Sequence, residues 1–229
     1  MSERKGKSDI ASTENDRAAA LKLFPLSPET EARFAIYEAL LRKWQKVINL
    51  VADSTLPQLW TRHFADCLQV QAAAPEARIW ADLGSGAGFP GLVTAIKLAD
   101  VAGAKVHLIE SDQRKCAFLR EVSRETQAPA EVHQGRIEDV LPKLGGPIEA
   151  VSARALAALP ALLDYAGDLI EKGAVGLFLK GEHLADELTD SDALSTFAHY
   201  DVAAIRSLTS ASAQLLVVSR KVTLPPGEI

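Results

Sequence analysis

The segment Asp82–Gly91, D-L-G-S-G-A-G-F-P-G, holds the residues best suited to chemistry in this chain. Gly84, Gly86 and Gly88 follow the apolar run Ile79-Trp80-Ala81, and Gly91 opens a stretch of helical character. Glycines between a strand and a helix accept positive φ and let backbone N–H groups come close to a ligand. The positive end of the helix dipole adds to that attraction. Two cofactors compete for the loop. Gly86, Gly88 and Gly91 fit the G-x-G-x-x-G spacing of a dinucleotide site. Glu110, at the end of the next expected strand, suits ribose hydroxyls in either case. Asp82 separates the two, because a carboxylate ahead of the glycines is badly placed against a pyrophosphate. It suits the ammonium of a methionine moiety, directly or through water. The loop therefore predicts S-adenosylmethionine.

The rest of the sequence narrows the methyl acceptor. An exocyclic amine acceptor calls for an N-P-P-Y-like tetrapeptide after the fourth strand, and Ser152-Ala153-Arg154-Ala155 stands there. A pyrimidine carbon needs a cysteine nucleophile. Cys67 and Cys116 lie in helical stretches without a preceding proline, and both read as packing residues. What remains is an acceptor with a free lone pair and no proton to lose, such as guanine N7, for which alignment does most of the work. Two distant cysteines give no disulfide framework or zinc site, and no metal is implied.

Stepping along the chain shows what must position these groups. The 229 residues suffice for one α/β domain with a helical extension. No apolar run reaches the ~20 residues of a membrane helix, and the start lacks a signal-peptide core, so a cytoplasmic protein is expected. Residues 1–22 are polar and aperiodic and read as a disordered tail. Ser27 then caps a helix with Pro28 at its first position, and Phe34, Tyr37, Leu41, Trp44 and Ile48 form its buried stripe. A second helix is expected from Thr55 to Leu68. Residues 23–76 thus read as an N-terminal helical cap.

From about residue 77 onward strands and helices alternate. Strands are expected at 79–81, 105–109, 130–133, 148–152 and 175–179. Helices are expected at 92–98, 114–125, 159–171 and 183–188. A hairpin-like pair at 201–205 and 214–218 ends the chain. Such alternation predicts a mostly parallel twisted sheet with helices on both faces. Ligands of such sheets sit at the carboxyl ends of the strands. Arg114 and Lys115, Arg136, Arg154 and Lys180 follow four successive strands there. They form a local basic edge that the net charge of −5 hides. Nucleic-acid phosphates need such an edge.

Together these motifs resemble the GidB/RsmG family of bacterial 16S rRNA methyltransferases that modify guanine N7. The carriers are W-Q-K-V-I-N-L at 44–50, R-H-F-A-D-C-L at 62–68, the glycine loop, G-R-I-E-D at 135–139, S-A-R-A at 152–155 and L-K-G at 179–181. Cys67 and Val51 depart from the serine and threonine common in the family. The resemblance implies a Rossmann-like class I methyltransferase fold over 77–229 and a site assignment. Asp82, Gly84, Ser85, Gly86, Gly88 and Phe89 would face the methionine and ribose. Glu110 would take the ribose, Ile137 and Glu138 the adenine, and Arg154 the boundary between cofactor and substrate. Arg136, Arg154 and Lys180 would hold phosphate or base, with Asn49, Arg62 and His63 as further candidates. His63 and Asn49 equally suit a paired histidine and a helix C-cap. The implied partner is 16S rRNA, a small-subunit assembly intermediate or the 30S particle, met by a monomer. Two other classes stay open: a small-molecule methyltransferase with the cap as lid, and a nucleotide-binding dehydrogenase or regulator.

Overall fold

The computed structural model describes residues 2–181, 184 and 199–221, with side chains from Thr13 onward. A seven-stranded sheet forms its centre, in the order β3-β2-β1-β4-β5-β7-β6. The strands are β1 (Ile79–Leu83), β2 (Lys105–Glu110), β3 (Ala130–Gln134), β4 (Ala150–Arg154), β5 (Val175–Lys180), β6 (Tyr200–Arg206) and β7 (Gln214–Arg220). The first five pair in parallel, and β7 runs antiparallel between β5 and β6. The chain winds from β1 outward to β3, then returns to β4 on the other side of β1. Strand order reverses at β1 and β4, and the crevice that forms at such a point is where ligands of open α/β sheets bind.

Helices α4 (Gly91–Lys97) and α5 (Gln113–Thr126) cover one face, and α6 (Ile137–Val140) and α7 (Leu159–Glu171) the other. From residue 77 to 181 each expected strand and helix is present within a few residues. The helix expected at His183–Leu188 lies outside the described residues apart from Leu184.

The N-terminal part differs from expectation. In place of a disordered tail, residues 2–23 form helix α1 (Ser2–Leu23). Polar contacts that no hydrophobic period reveals hold its second half. The Asp16 carboxylate accepts from the backbone N–H of Trp60 at 2.8 Å and from the Thr61 hydroxyl. Arg17 pairs with Glu31 at 2.7 Å and lies over the Trp60 ring. Helix α2 (Pro28–Trp44) starts as expected, with Ser27 Oγ accepting from the Thr30 N–H. Its cap at the other end is Gln45 rather than Asn49.

The single helix expected at 55–68 is broken into three. A 3₁₀ turn spans Asp53–Gln58, a π turn Trp60–Ala65, and α3 runs from Asp66 to Ala72. Pro57 lacks the N–H that an unbroken helix would need. The wider π turn carries Arg62 and His63.

The cap and sheet share one core. Phe34, Tyr37 and Phe64 are fully or almost fully buried beside Phe89 of the glycine loop and Phe118 of α5. Ring centroids lie 4.9 Å apart for Phe34 and Phe64, 5.1 Å for Tyr37 and Phe64, and 5.5 Å for Tyr37 and Phe89. The glycine loop is thereby wedged between sheet and cap.

Candidate functional site

The loop is strapped to β2 by its own backbone. Ser85 N–H donates to Ile109 O at 2.9 Å, and Gly86 N–H to Glu110 Oε2 at 2.8 Å. The other Glu110 oxygen accepts from Asp112 N–H at 2.8 Å. Glu110 thus ties together the loops after β1 and β2. Gly88 must be glycine for two reasons: its φ is +92°, and a Cβ there would lie 2.5 Å from Leu92 Cδ1 and 2.7 Å from the Tyr37 hydroxyl.

Asp82 stands near the end of β1, as expected, but its side chain turns away from the cavity above the loop. Strand alternation puts its side chain on the face of Trp80, beneath α4, where it is fully buried. Oδ1 accepts from Ser152 Oγ at 2.7 Å, and Oδ2 packs on Gly91, where a Cβ would come within 2.5 Å of it. Asp82 does not line the cavity above the loop. It holds β1, β4 and the start of α4 together from below. Of the two routes expected to the cofactor's ammonium, direct or through water, this burial disfavours the direct one.

Burial pushes the Asp82 carboxyl up to about 6, against the pull of the Ser152 hydroxyl bond. A carboxyl raised in the folded state keeps its proton where the unfolded chain has lost it. Its contribution to stability is therefore full below the ordinary value of 3.8 and is lost as pH rises to about 6. The loss amounts to about 3 kcal/mol. Denaturant unfolding at a series of pH values is expected to show this downward slope in the native protein. A flat difference between native and Asp82→Asn chains over that window would refute it.

Above the loop lies a cavity of about 390 Å³. Gly84, Ser85, Gly86, Phe89, Glu110, Arg136, Ile137, Glu138 and Arg154 all line it. Gly88 does not: its part is to let the loop meet Tyr37. The lining fits S-adenosylmethionine. Each Glu110 oxygen has used one lone pair on backbone and keeps another for a ribose hydroxyl. Ile109 and Ile137 offer apolar walls for a purine, and Glu138 is held by the Tyr165 hydroxyl at 3.2 Å.

A second cavity, about 370 Å³, lies beyond Arg154. Thr55, Arg62, His63, Asp66, Lys180, Gly181, Thr209 and Ser210 line it, and Arg154 and Ala155 border both spaces. Ala155 takes the left-handed conformation at φ +51°, which costs a non-glycine residue about 1 kcal/mol or more. That kink turns the chain away just after Arg154.

Arg154 is held on three sides. Its guanidinium carbon lies 4.7 Å from the Phe89 ring centroid, one nitrogen donates to His63 Nδ1 at 2.8 Å, and another lies 3.9 Å from Asp66 Oδ2. His63 stacks on the same Phe89 ring at 4.9 Å. Its Nε2 meets Thr55 Oγ1 at 2.9 Å, and the Thr55 hydroxyl itself donates to Ala52 O. An arginine can only donate, so Nδ1 must accept and Nε2 carries the ring's proton. Burial, with Arg154 and Arg62 nearby, lowers His63 to about 3 and keeps it neutral. Asp66 Oδ1 accepts from Gln69, Ser207 and Thr209, joining the cap to the β6–β7 turn. Lys180 Nζ donates to Ala157 O at 2.8 Å on the cavity rim.

The structure thus brings together most of the residues expected to act. Asn49 and Arg114 line neither cavity. Thr55, Asp66, Thr209 and Ser210 were not singled out as site residues. Asp66 had a signal in the spacing R-H-x-x-D, but Thr55 and the 207–210 turn had none, being polar residues in loops. Cys67 and Cys116 are both buried, and burial pushes both thiols up, as packing residues should be.

With this geometry in hand, similarity to other proteins is informative. Residues 30–216 match the family model described as GidB, rRNA small subunit methyltransferase G. Relatives named ribosomal RNA small subunit methyltransferase G include one from Nitrobacter winogradskyi, 55% identical over 77% of this chain and 64% of the relative. The chain therefore spans just under two thirds of that relative's length. A second, from Bradyrhizobium sp. strain ORS 278, is 54% identical over 77% of this chain and 80% of its own. Among solved structures, an O-methyltransferase from Bacillus cereus in complex with SAH superposes with a TM-score of 0.56. It is 16% identical, covering 92% of this chain and 98% of its own. A methyltransferase from Geobacter sulfurreducens gives 0.56 at 15% identity, over 89% and 96% of the two chains. At such identities the structures speak for the methyltransferase fold alone. The family model and the relatives speak for more: this chain belongs to the rRNA small subunit methyltransferase G family.

Proposed function

We propose that the chain transfers a methyl group from S-adenosylmethionine to N7 of a guanine in the 16S rRNA of the small ribosomal subunit. The observation that carries this reading is the pair of cavities that meet at Arg154, where neither His63 nor Asp66 is poised as a base. His63 has its Nδ1 occupied by Arg154 and stays neutral, so it cannot take a proton there. Asp66 Oδ1 already accepts three bonds, and its Oδ2 faces the Arg154 guanidinium at 3.9 Å. Guanine N7 needs no base, since attack through its lone pair releases no proton. The bound cofactor supplies an activated methyl group, and the chain's residues supply alignment. Arg154, clamped between Phe89 and His63, fixes the wall across which donor and acceptor face each other.

Phosphate binding falls to the cations around the two openings. Lys115 and Arg136 border the cofactor cavity, and Arg62 and Lys180 the second. This arrangement favours an RNA over a small metabolite, and the cap is packed into one core with the sheet. Among the described residues no helix is long and apolar enough to cross a membrane. The setting proposed is the cytoplasm, with the protein acting as a monomer.

S-adenosylmethionine is expected to raise the melting temperature by several degrees, whereas NAD leaves it unchanged; the reverse would remove the cofactor assignment. Mass-spectrometric mapping of 16S rRNA, supplied free, as an assembly intermediate and as 30S particles, should find new 7-methylguanine in at least one. Label appearing only in a small molecule would point to the lid reading instead. Lys180→Ala should spare cofactor binding and lower RNA methylation roughly tenfold, the effect of losing one charged contact of about 1.4 kcal/mol.

A further inference from the structure

A second cluster of chemically able side chains lies away from the site just described, on β2 and the edge strand β3. His107 is in register with Glu131 across the parallel pair, and His133 follows two residues along β3. All three side chains therefore project from the same face of the sheet. Their candidate ligand atoms converge: His107 Nδ1 lies 2.9 Å from His133 Nε2, His107 Nδ1 lies 4.0 Å from Glu131 Oε2, and His133 Nε2 lies 3.8 Å from Glu131 Oε1. We propose that His107, Glu131 and His133 form a binding site for a divalent transition-metal ion of the zinc type.

Three points favour an ion over a mere hydrogen-bonded pair. The first is spacing. Tetrahedral bonds of about 2.0–2.1 Å set neighbouring ligand atoms roughly 3.3 Å apart. The two ring nitrogens lie just inside that separation and the carboxylate just outside it, so small side-chain rotations close the triangle. The second is chemistry. Two imidazoles and one carboxylate suit zinc, cobalt or nickel, whereas magnesium and calcium take oxygen ligands. The third is preorganisation with access. His107 is buried and fixed by its strand, while Glu131 and His133 are reachable from solvent. A cavity of about 670 Å³ lined by all three, together with Gln134 and Asp139, leaves room for water or a further ligand. One neighbour competes with the ion: Lys105 Nζ lies 2.8 Å from Glu131 Oε2. An arriving ion would displace that ammonium and the single proton shared between the two rings.

The position gives the ion a consequence. Strand β3 leads directly into Gly135, which lines the cofactor cavity and donates its N–H to Glu110 O at 3.0 Å. An ion bridging β2 and β3 would pin the edge strand next to the cofactor's ribose carboxylate.

The full chain, stripped with a chelator, is titrated with zinc by calorimetry and with cobalt by visible absorption. The expected result is one ion per chain, with a tetrahedral cobalt spectrum. His133→Ala and Glu131→Gln, both on solvent-reachable side chains, should weaken binding at least about tenfold while circular dichroism stays native. Lys105→Ala, which frees the carboxylate, should tighten it. Absence of binding to the native chain, or undiminished binding by the His133→Ala and Glu131→Gln chains, overturns the proposal. So does a Lys105→Ala chain that binds no more tightly than the native one.

Discussion

Arg154→Ala is expected to reduce kcat for methyl transfer roughly 100-fold, the effect of a misplaced reacting group. Arg154 borders both cavities, as does Ala155 after it, and its guanidinium is gripped from both the glycine loop and the cap. Removing it opens the wall between them and leaves His63 Nδ1 without its donor. Arg154→Lys should restore little, because an ammonium cannot stack its plane on Phe89 while bonding His63. A structural readout separates this role from general damage. The positive charge of Arg154 helps to hold His63 near 3, so the alanine chain should show His63 titrating at higher pH by NMR. A variant with native activity would remove Arg154 from the reaction. An unmoved His63 titration would refute the clamp.

The second large effect concerns the loop. Gly88→Ala is expected to destabilise the fold by about 3–5 kcal/mol, combining the cost of left-handed backbone with overpacking. The added methyl would overlap Leu92 and the Tyr37 hydroxyl, which itself donates to Ala87 O in the same loop. Gly86→Ala is the control. Its φ of +57° is also left-handed, but the nearest atom to a Cβ is 3.7 Å away, so only the backbone cost of about 1–2 kcal/mol applies. Urea unfolding of the two variants measures the difference. Equal losses would mean that close packing against the cap plays no part. S-adenosylmethionine affinity should fall with Gly88→Ala in step with the loop's disorder.

These expectations show where the sequence was legible. Strand positions followed from short apolar runs bounded by glycines, prolines and charges, and β1 to β5 lie within two residues of where those runs place them at each end. The helix start at Ser27-Pro28 followed from local hydrogen bonding and a fixed φ, both properties of adjacent residues. The N-terminal helix α1 was invisible because its anchors, Asp16 to Trp60 and Arg17 to Glu31, are polar and distant in sequence. The break in the second helix had one local clue, Pro57, and the π turn that follows had none.

The glycine loop divides in the same way. The sequence by itself determined that Asp82–Gly91 is a strand–helix turn with room for a nucleoside ligand, since glycine spacing acts through local backbone freedom. It also determined the family, through motifs scattered from Trp44 to Gly181. Only the tertiary structure decided what each residue touches. Asp82 turned out to be a buried brace because pleat alternation, together with α4 packed overhead, sends its carboxylate below the loop. R-H-x-x-D and S-x-R-A, some 90 residues apart, became one clamp on Arg154 because cap and sheet share an aromatic core. Direction and distance across such a gap depend on packing, and packing is a property of the folded chain as a whole.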